Sequence, residues 1–103
     1  MKKTVEIVEY SQERDYLKKN GEVGYGRNVV VQWMEEGLNG RFEQSTVLEV
    51  DGRLDEKMLL QAKQNRTLIE VTIYFQHTEW QGKYYPRIRG YFPAEYRNQE
   101  DNK

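Results

Sequence analysis

The sequence predicts a single all-β domain with one helix, and three observations carry that prediction. Five segments alternate between apolar and polar residues at the period of a half-buried strand, and one segment instead follows the period of a helix. The chain has 103 residues, which is the size of one domain. Aromatic residues make up 13% of it, and because disordered chains are poor in aromatic residues we expect a folded core.

The predicted strands place their apolar residues on one side. The fourth strand is the clearest, because Ile69, Val71, Ile73 and Phe75 share one face and are therefore expected in the core. In the second strand Trp33 shares its side with two valines and is expected in the core as well. The five strands cover residues 4–10, 28–35, 41–50, 68–75 and 84–92.

Residues 54–65 form the one predicted helix. Apolar side chains recur there at helical spacing, which turns Met58 and Ala62 inward. Asp55 lies in the first turn, where the helix dipole favours an anion, and Asn65 suits the C-terminal cap. We expect this helix to cover one end of the structure that the strands form.

The elements follow one another as β-β-β-α-β-β, with the helix between the third and fourth strands. This is the order of the OB-fold, a five-stranded Greek-key barrel that binds oligonucleotides or oligosaccharides. An SH3-like barrel with an added helix and an open α+β sheet remain alternatives at this point. Residues 1–93 are predicted to form the OB-fold domain, and residues 94–103 are predicted to form a polar C-terminal tail.

Composition excludes several classes of function. The chain has no cysteine and one histidine, which excludes disulfides, thiol chemistry and clusters of histidine ligands. We therefore expect a protein that is not an enzyme and that uses no cofactor and no metal. No apolar run is long enough to span a bilayer, and the first residues lack the apolar stretch of a signal peptide. The expected location is the cytoplasm, without a membrane partner.

The most concentrated feature of the sequence is a basic and aromatic stretch at the last strand. Between residues 80 and 91 there are three basic residues and no acidic one. Alternation places two tyrosines and two arginines on one face of the strand, with a tryptophan and a lysine at the preceding turn. Single-strand binders combine aromatic platforms for bases with basic groups for the backbone, so we assign these residues to a nucleic-acid-binding site. They are Trp80, Lys83, Tyr85, Arg87, Arg89 and Tyr91.

The same stretch also fits a purely structural interpretation. The tyrosines would then cover a barrel wall while the arginines pair with Glu70, Glu79 or Glu95. Pro86, in the middle of this strand, has no N–H to give to a ladder, and it predicts a free strand edge or a bulge there.

Residues 11–27 contribute a second candidate site. They are polar and contain three glycines, which predicts a long loop or an extended hairpin tip. Tyr25 lies between Gly24 and Gly26, and we expect these glycines to expose its ring and to let the backbone approach a ligand. Tyr25 and Arg27 therefore join the predicted nucleic-acid-binding residues.

Two stretches of the chain resemble bacterial single-stranded-DNA-binding proteins and the related short OB-fold domains of unassigned function. One covers residues 71–89, in which a strand is followed by the run EWQGKYY and then by Arg-Ile-Arg. The other covers residues 47–60, VLEVDGRLDEKMLL, which looks like the third strand of that family leading through a glycine into the barrel helix. The resemblance implies an OB-fold, a base-stacking role for Trp80 and a backbone contact for Lys83.

These observations lead to one hypothesis and one alternative. The hypothesis is a non-catalytic OB-fold domain that binds single-stranded DNA largely without sequence preference, in bacterial DNA replication, repair or the transactions of mobile elements. RNA is not distinguished from DNA. The alternative is a barrel that binds no nucleic acid and docks either a partner protein or a second copy of itself, which would make a homo-oligomer. The net charge of −1 favours the alternative, whereas the basic and aromatic hairpin favours the hypothesis.

Overall fold

The computed structural model describes residues 1–12 and 14–97. In that part of the chain the helix α1 spans Glu56–Gln64, and a 3-10 turn spans Ala94–Tyr96. The strands are β1 (Lys2–Tyr10), β2 (Arg14–Leu17), β3 (Val23–Gly37), β4 (Gly40–Asp51), β5 (Leu68–Trp80) and β6 (Lys83–Tyr91).

Five of the strands close into a barrel. β3 pairs with β1 and β4, β5 pairs with β1 and β6, and all of these pairs are antiparallel. A parallel contact between β4 and β6, at Glu49 and Arg89, completes the ring. β2 only extends the sheet beside β3, so the order around the barrel is β1-β3-β4-β6-β5. With α1 between the third and fourth barrel strands, this confirms the predicted five-stranded OB-fold barrel with one helix.

The core of the barrel is built from alternating side chains of the strands. Ile69, Val71 and Ile73 are buried as predicted, and they form one cluster with Leu59 of α1. Trp33, which is expected in the core, is half-buried and packs against this cluster. The other buried apolar side chains are Val5, Ile7, Val29, Val31, Leu48, Val50, Leu54, Ala62, Phe92 and Tyr96.

The two ends of α1 are fixed by local hydrogen bonds. The carboxylate of Asp55 caps the N-terminus, accepting from the amides of Lys57 at 3.0 Å and of Met58 at 3.3 Å. Asn65 is the C-terminal cap, and the next residue, Arg66, takes the left-handed conformation with φ of 54°. The helix predicted over residues 54–65 is therefore present, and its regular part is slightly shorter.

Residues 14–26 form a hairpin. They lie within the stretch 11–27, whose sequence predicts either a long loop or an extended hairpin tip. β2 pairs in antiparallel fashion with the first residues of β3. Tyr16 lies across this hairpin, because a Cβ atom on Gly24 would be 2.6 Å from its ring and one on Gly26 would be 3.4 Å away. Gly24 thus makes room for Tyr16, and Tyr25 between the two glycines is half-buried instead of exposed.

The β5–β6 hairpin extends beyond the barrel. β1 pairs with β5 only as far as Thr72, and β4 pairs with β6 at one position, so the outer part of the hairpin has two free edges. We call residues 74–88 the β5–β6 arm. Its turn residues, Gln81 and Gly82, both have positive φ, as a type I′ turn requires. Pro86 lies on a free edge of this arm, as its missing N–H predicts.

Phe75 corrects one prediction, because it lies on the arm and not in the core. It has the same parity as Ile73, but at this point β5 has passed its last pair with β1, and Phe75 is 67% exposed. Alternation tells which side a residue points to, and it does not tell where the neighbouring strand ends.

The segment after β6 packs on the barrel. Tyr96 is buried and meets Phe92 edge to face, with 6.3 Å between the ring centroids. Arg97 forms an isolated β-bridge with Leu54. Residues 94–97, which composition assigns to the polar tail, therefore contact the folded part of the chain. The rest of the predicted tail, residues 98–103, lies outside the described residues.

Gly90 occupies a position with no room for a side chain. A Cβ atom there would be 2.7 Å from Cδ1 of Leu48, which is fully buried. Gly90→Ala should therefore lower the free energy of unfolding by about 1 to 3 kcal/mol, the usual cost of overpacking, when measured by urea denaturation. Gly26→Ala is the control, because its nearest neighbour would be 3.4 Å away. Equal losses for the two variants would contradict the packing around Gly90.

Candidate functional site

One face of the β5–β6 hairpin gathers most residues of the predicted site. Directly opposed residues of an antiparallel ladder point to the same side. The register places Trp80 opposite Lys83 and Tyr74 opposite Arg89. By alternation along β6, the other predicted residues of this strand follow on that side. We call this surface the aromatic face; it consists of Tyr74, Trp80, Lys83, Tyr85, Arg87, Arg89 and Tyr91.

The aromatic side chains of this face are partly exposed to solvent, and the guanidinium carbon of Arg97 lies 4.5 Å from the ring centroid of Tyr91. Trp80 is 63% exposed, Tyr91 52%, Tyr85 46% and Tyr74 39%. Tyr74 is absent from the predicted site. Alternation predicts which side of β5 its ring points to, but it does not predict that Arg89 of β6 lies opposite. Exposed aromatic groups gathered on one face are more than a solvated surface needs, and patches of this kind are typical of contact surfaces.

The arginines of the aromatic face are held by carboxylates of β4. Nη2 of Arg87 lies 2.5 Å from Oε2 of Glu49, and Nη1 of Arg89 lies 3.6 Å from the same oxygen. The other terminal nitrogen of Arg89 contacts Asp51. Arg89 is buried, with 6% of the residue exposed. Both arginines are paired, as the structural interpretation predicts, but their partners come from the neighbouring strand of the barrel.

The net charge of this surface is small. Lys83, Arg87, Arg89 and the neighbouring Arg97 carry four positive charges, and Glu49 and Asp51 carry two negative ones, which leaves +2. Lys83 is exposed at the tip of the arm, beside Trp80. The tip is therefore the part of the aromatic face where a cation is most accessible to a ligand.

Tyr25 and Arg27 do not lie on the aromatic face. Tyr25 is half-buried, with the guanidinium carbon of Arg53 at 3.9 Å from its ring centroid. Arg27 is buried, and its guanidinium carbon lies 5.1 Å from the ring centroid of Tyr10. Both are cation–π contacts. Arg27 also lines a cavity together with Arg89 of the aromatic face, and Tyr25 is not part of that lining.

One carboxylate near the turn of the β3–β4 hairpin ties that hairpin to β1. Glu35 accepts a hydrogen bond from Nζ of Lys3 at 2.5 Å and another from Nε1 of Trp33 at 2.7 Å. Both hydrogen bonds hold the pKa of Glu35 below its usual range, and the bond from Lys3 has the larger effect. These contacts keep Trp33 against the barrel, so Trp80 is the more exposed of the two tryptophans.

Comparison with known proteins leaves the site to be interpreted from its own geometry. No protein-family model matches the chain, and no curated protein and no solved structure matches it either. Across residues 1–12 and 14–97, no helix has the length and apolar character needed to cross a membrane. Within the same residues, no three histidine, aspartate or glutamate side chains come together as metal ligands would. The chemistry of the site is that of aromatic rings, guanidinium groups and carboxylates.

Proposed function

We propose that the protein binds single-stranded nucleic acid, in the first place DNA, on the aromatic face. The observation that carries the proposal is the row of exposed rings on one side of a hairpin that projects from an OB-type barrel. Every base has a π-face, so an open ring can stack with any of them, and each stacked base contributes about 1 to 3 kcal/mol. Binding of this kind is largely independent of sequence.

Basic groups at both ends of the aromatic face would guide the phosphate backbone. Lys83 stands at the arm tip, and Arg87 and Arg89 lie toward the barrel. On single strands each neutralised phosphate contributes about −0.7 to the slope of log affinity against log salt. Because Glu49 already holds Arg87, we expect few phosphate contacts and a shallow salt dependence.

The process follows from the class of ligand. Single strands of DNA arise during replication and repair, and the resemblance to bacterial single-stranded-DNA-binding proteins favours these processes in the bacterial cytoplasm. The proposed role is binding alone, without a catalytic step and without a cofactor.

Removing the charge of Glu49 should strengthen binding. In Glu49→Gln the guanidinium of Arg87 loses its carboxylate partner at 2.5 Å and becomes available to a phosphate. Since both side chains are partly exposed, we expect the affinity for oligo-dT to rise about two- to fivefold, the range of a surface ion pair. A fluorescence titration at one fixed salt concentration measures this change.

Glu36→Gln is the matched control for this substitution. Glu36 pairs with Arg41 at 3.7 Å on the β3–β4 hairpin, away from the aromatic face, and both side chains are well exposed. The control removes the same charge from the protein, so an equal gain would mean that only the overall charge matters. An equal gain, or an unchanged affinity in Glu49→Gln, would contradict the role given to Arg87.

A second candidate function is docking of another protein or of a second copy of the chain, and the reverse side of the arm favours it. Phe75 and Tyr84 are 67% and 69% exposed on that side, which they share with Pro86. Exposed apolar patches are typical of protein contact surfaces. Association through this side would respond weakly to salt and would change the sedimentation coefficient, so the two functions can be separated experimentally.

A further inference from the structure

A cavity of about 200 Å³ lies where β6 meets the end of β4 and the hairpin formed by β2 and the start of β3, which we call the β2 hairpin. It has room for several water molecules, at about 30 Å³ each. It adjoins the aromatic face through two arginines that belong to both. The charged side chains of its lining are Arg14, Arg27, Arg87, Arg89, Glu49 and Asp51.

Arg89 provides the cavity with a buried cationic wall. Its terminal nitrogens contact Glu49 and Asp51, while its buried Nε has no hydrogen-bond acceptor among the described residues. A buried donor without an acceptor is unfavourable, and a guanidinium group has five N–H donors to satisfy. An oxyanion in the cavity would bring further acceptors to this guanidinium group.

The β2 hairpin closes the cavity on one side. The hydroxyl of Tyr16 donates a hydrogen bond to Oδ1 of Asp51 at 3.0 Å, and its ring lies against Gly24 and Gly26. These contacts hold β2 against the end of β4. They bring Arg14, which is exposed on β2, to the rim of the cavity.

The charge of the lining indicates the class of ligand. Four positive and two negative side chains leave +2, and the lining keeps +1 even without Arg27, whose guanidinium stacks on Tyr10. A phosphate diester carries one negative charge, and a phosphate monoester carries about −1.5 to −2 at pH 7. Guanidinium groups match the oxygens of phosphate in geometry as well as in charge.

We infer that this cavity binds one phosphate group of a ligand. The inference rests on the proposed function, because the phosphate would belong to the nucleic-acid strand that is bound on the aromatic face. Arg87 and Arg89 belong to both surfaces, so a strand that follows the face toward the barrel reaches the cavity directly.

The first test uses inorganic phosphate as the probe. Sodium phosphate is titrated into isotope-labelled protein at constant pH, with sodium chloride at the same ionic strength as the reference. Phosphate should shift the amide signals of Gly26 and Val50 in a saturable way, and chloride should leave them in place. Arg14→Gln should weaken this binding about two- to fivefold. Arg41→Gln, which changes an exposed arginine of the β3–β4 hairpin, should leave it unchanged. Equal responses to the two salts, or equal effects of the two substitutions, would overturn the inference.

The second test uses oligo-dT that carries a 5′ phosphate, a 3′ phosphate or neither. Stronger binding of one phosphorylated form, lost in Arg14→Gln, would identify the occupant as a terminal phosphate. An equal loss for all three forms would identify an internal phosphodiester.

The two tests together separate the cavity from the proposed function. If the oligonucleotides bind, but Arg14→Gln weakens none of them and inorganic phosphate causes no shift, the inference about the cavity fails and the proposed function stands. If inorganic phosphate binds and no oligonucleotide does, the proposed function fails and the cavity is a site for free phosphate. Saturable phosphate shifts together with oligonucleotide binding that ignores Arg14→Gln would also assign the cavity to free phosphate.

Discussion

Replacing Phe92 with alanine is expected to lower the free energy of unfolding by about 3 to 5 kcal/mol, the usual cost of truncating a buried phenylalanine. Phe92 is 1% exposed, and its ring meets that of Tyr96 edge to face. Single domains have a free energy of unfolding of about 5 to 15 kcal/mol, so this one substitution should remove much of the stability. Urea denaturation followed by circular dichroism measures the difference.

Phe75→Ala is the matched control, because it makes the same chemical change on the β5–β6 arm. Phe75 is 67% exposed and lies beyond the last pair between β1 and β5. Its truncation should therefore change the free energy of unfolding by no more than about 0.5 kcal/mol. A loss as large as the one expected for Phe92 would contradict the description of the arm as a hairpin that projects from the barrel.

Trp80→Ala is expected to weaken the binding of oligo-dT by about 1 to 3 kcal/mol, or about 5- to 150-fold, while leaving the free energy of unfolding unchanged. The Trp80 residue is 63% exposed at the arm tip, so its truncation removes a stacking platform without opening a cavity in the core. Trp80→Phe should restore part of the affinity, because it keeps an aromatic ring. Fluorescence anisotropy of a labelled oligonucleotide measures the affinity of each variant.

Tyr84→Ala is the control for the Trp80 substitution. Tyr84 is 69% exposed on the same hairpin but on its reverse side, so its truncation should leave the affinity unchanged. Equal losses in the two variants would show that the strand does not follow the aromatic face. A loss in Tyr84→Ala alone would move the binding site to the reverse side.

Most of the fold can be predicted from the sequence because it depends on local periodicity. Alternation in residues 68–75 locates the strand that contributes Ile69 and Val71 to the core, and the change of period at residues 54–65 locates the helix. The order of the elements then limits the topology to a few candidates. The closed ring of strands decides in favour of the OB-fold barrel.

The lengths of the hairpins cannot be predicted in this way, because they depend on where strands distant in sequence stop pairing. Phe75 has the alternation of a core residue, and only the end of the β1–β5 ladder at Thr72 exposes it. Tyr96 is the converse, since it lies in a polar stretch and yet packs on Phe92. Alternation predicts which face of the strand a side chain points to, and its burial depends on whether another part of the chain packs against that face.

The candidate site shows the same division between local and distant information. The exposure of Trp80 and Lys83 follows from the turn that lies between them in the sequence. The pairing of Arg87 and Arg89 does not, because Glu49 reaches them from β4 through a parallel contact that no local pattern reveals. The rings of the site could therefore be predicted, and the state of its charges could not.

Binding of single strands to the aromatic face is tested most directly by a titration with unlabelled oligo-dT at low and at physiological salt. The exposed Trp80 reports binding through quenching of its fluorescence, and Trp80→Phe shows the contribution of the half-buried Trp33. We predict saturable quenching at low salt and an affinity that falls as salt rises, with a slope of about −0.7 for each phosphate contact. An absence of binding at low salt, where electrostatic attraction is least screened, would contradict nucleic-acid binding and favour docking of a protein.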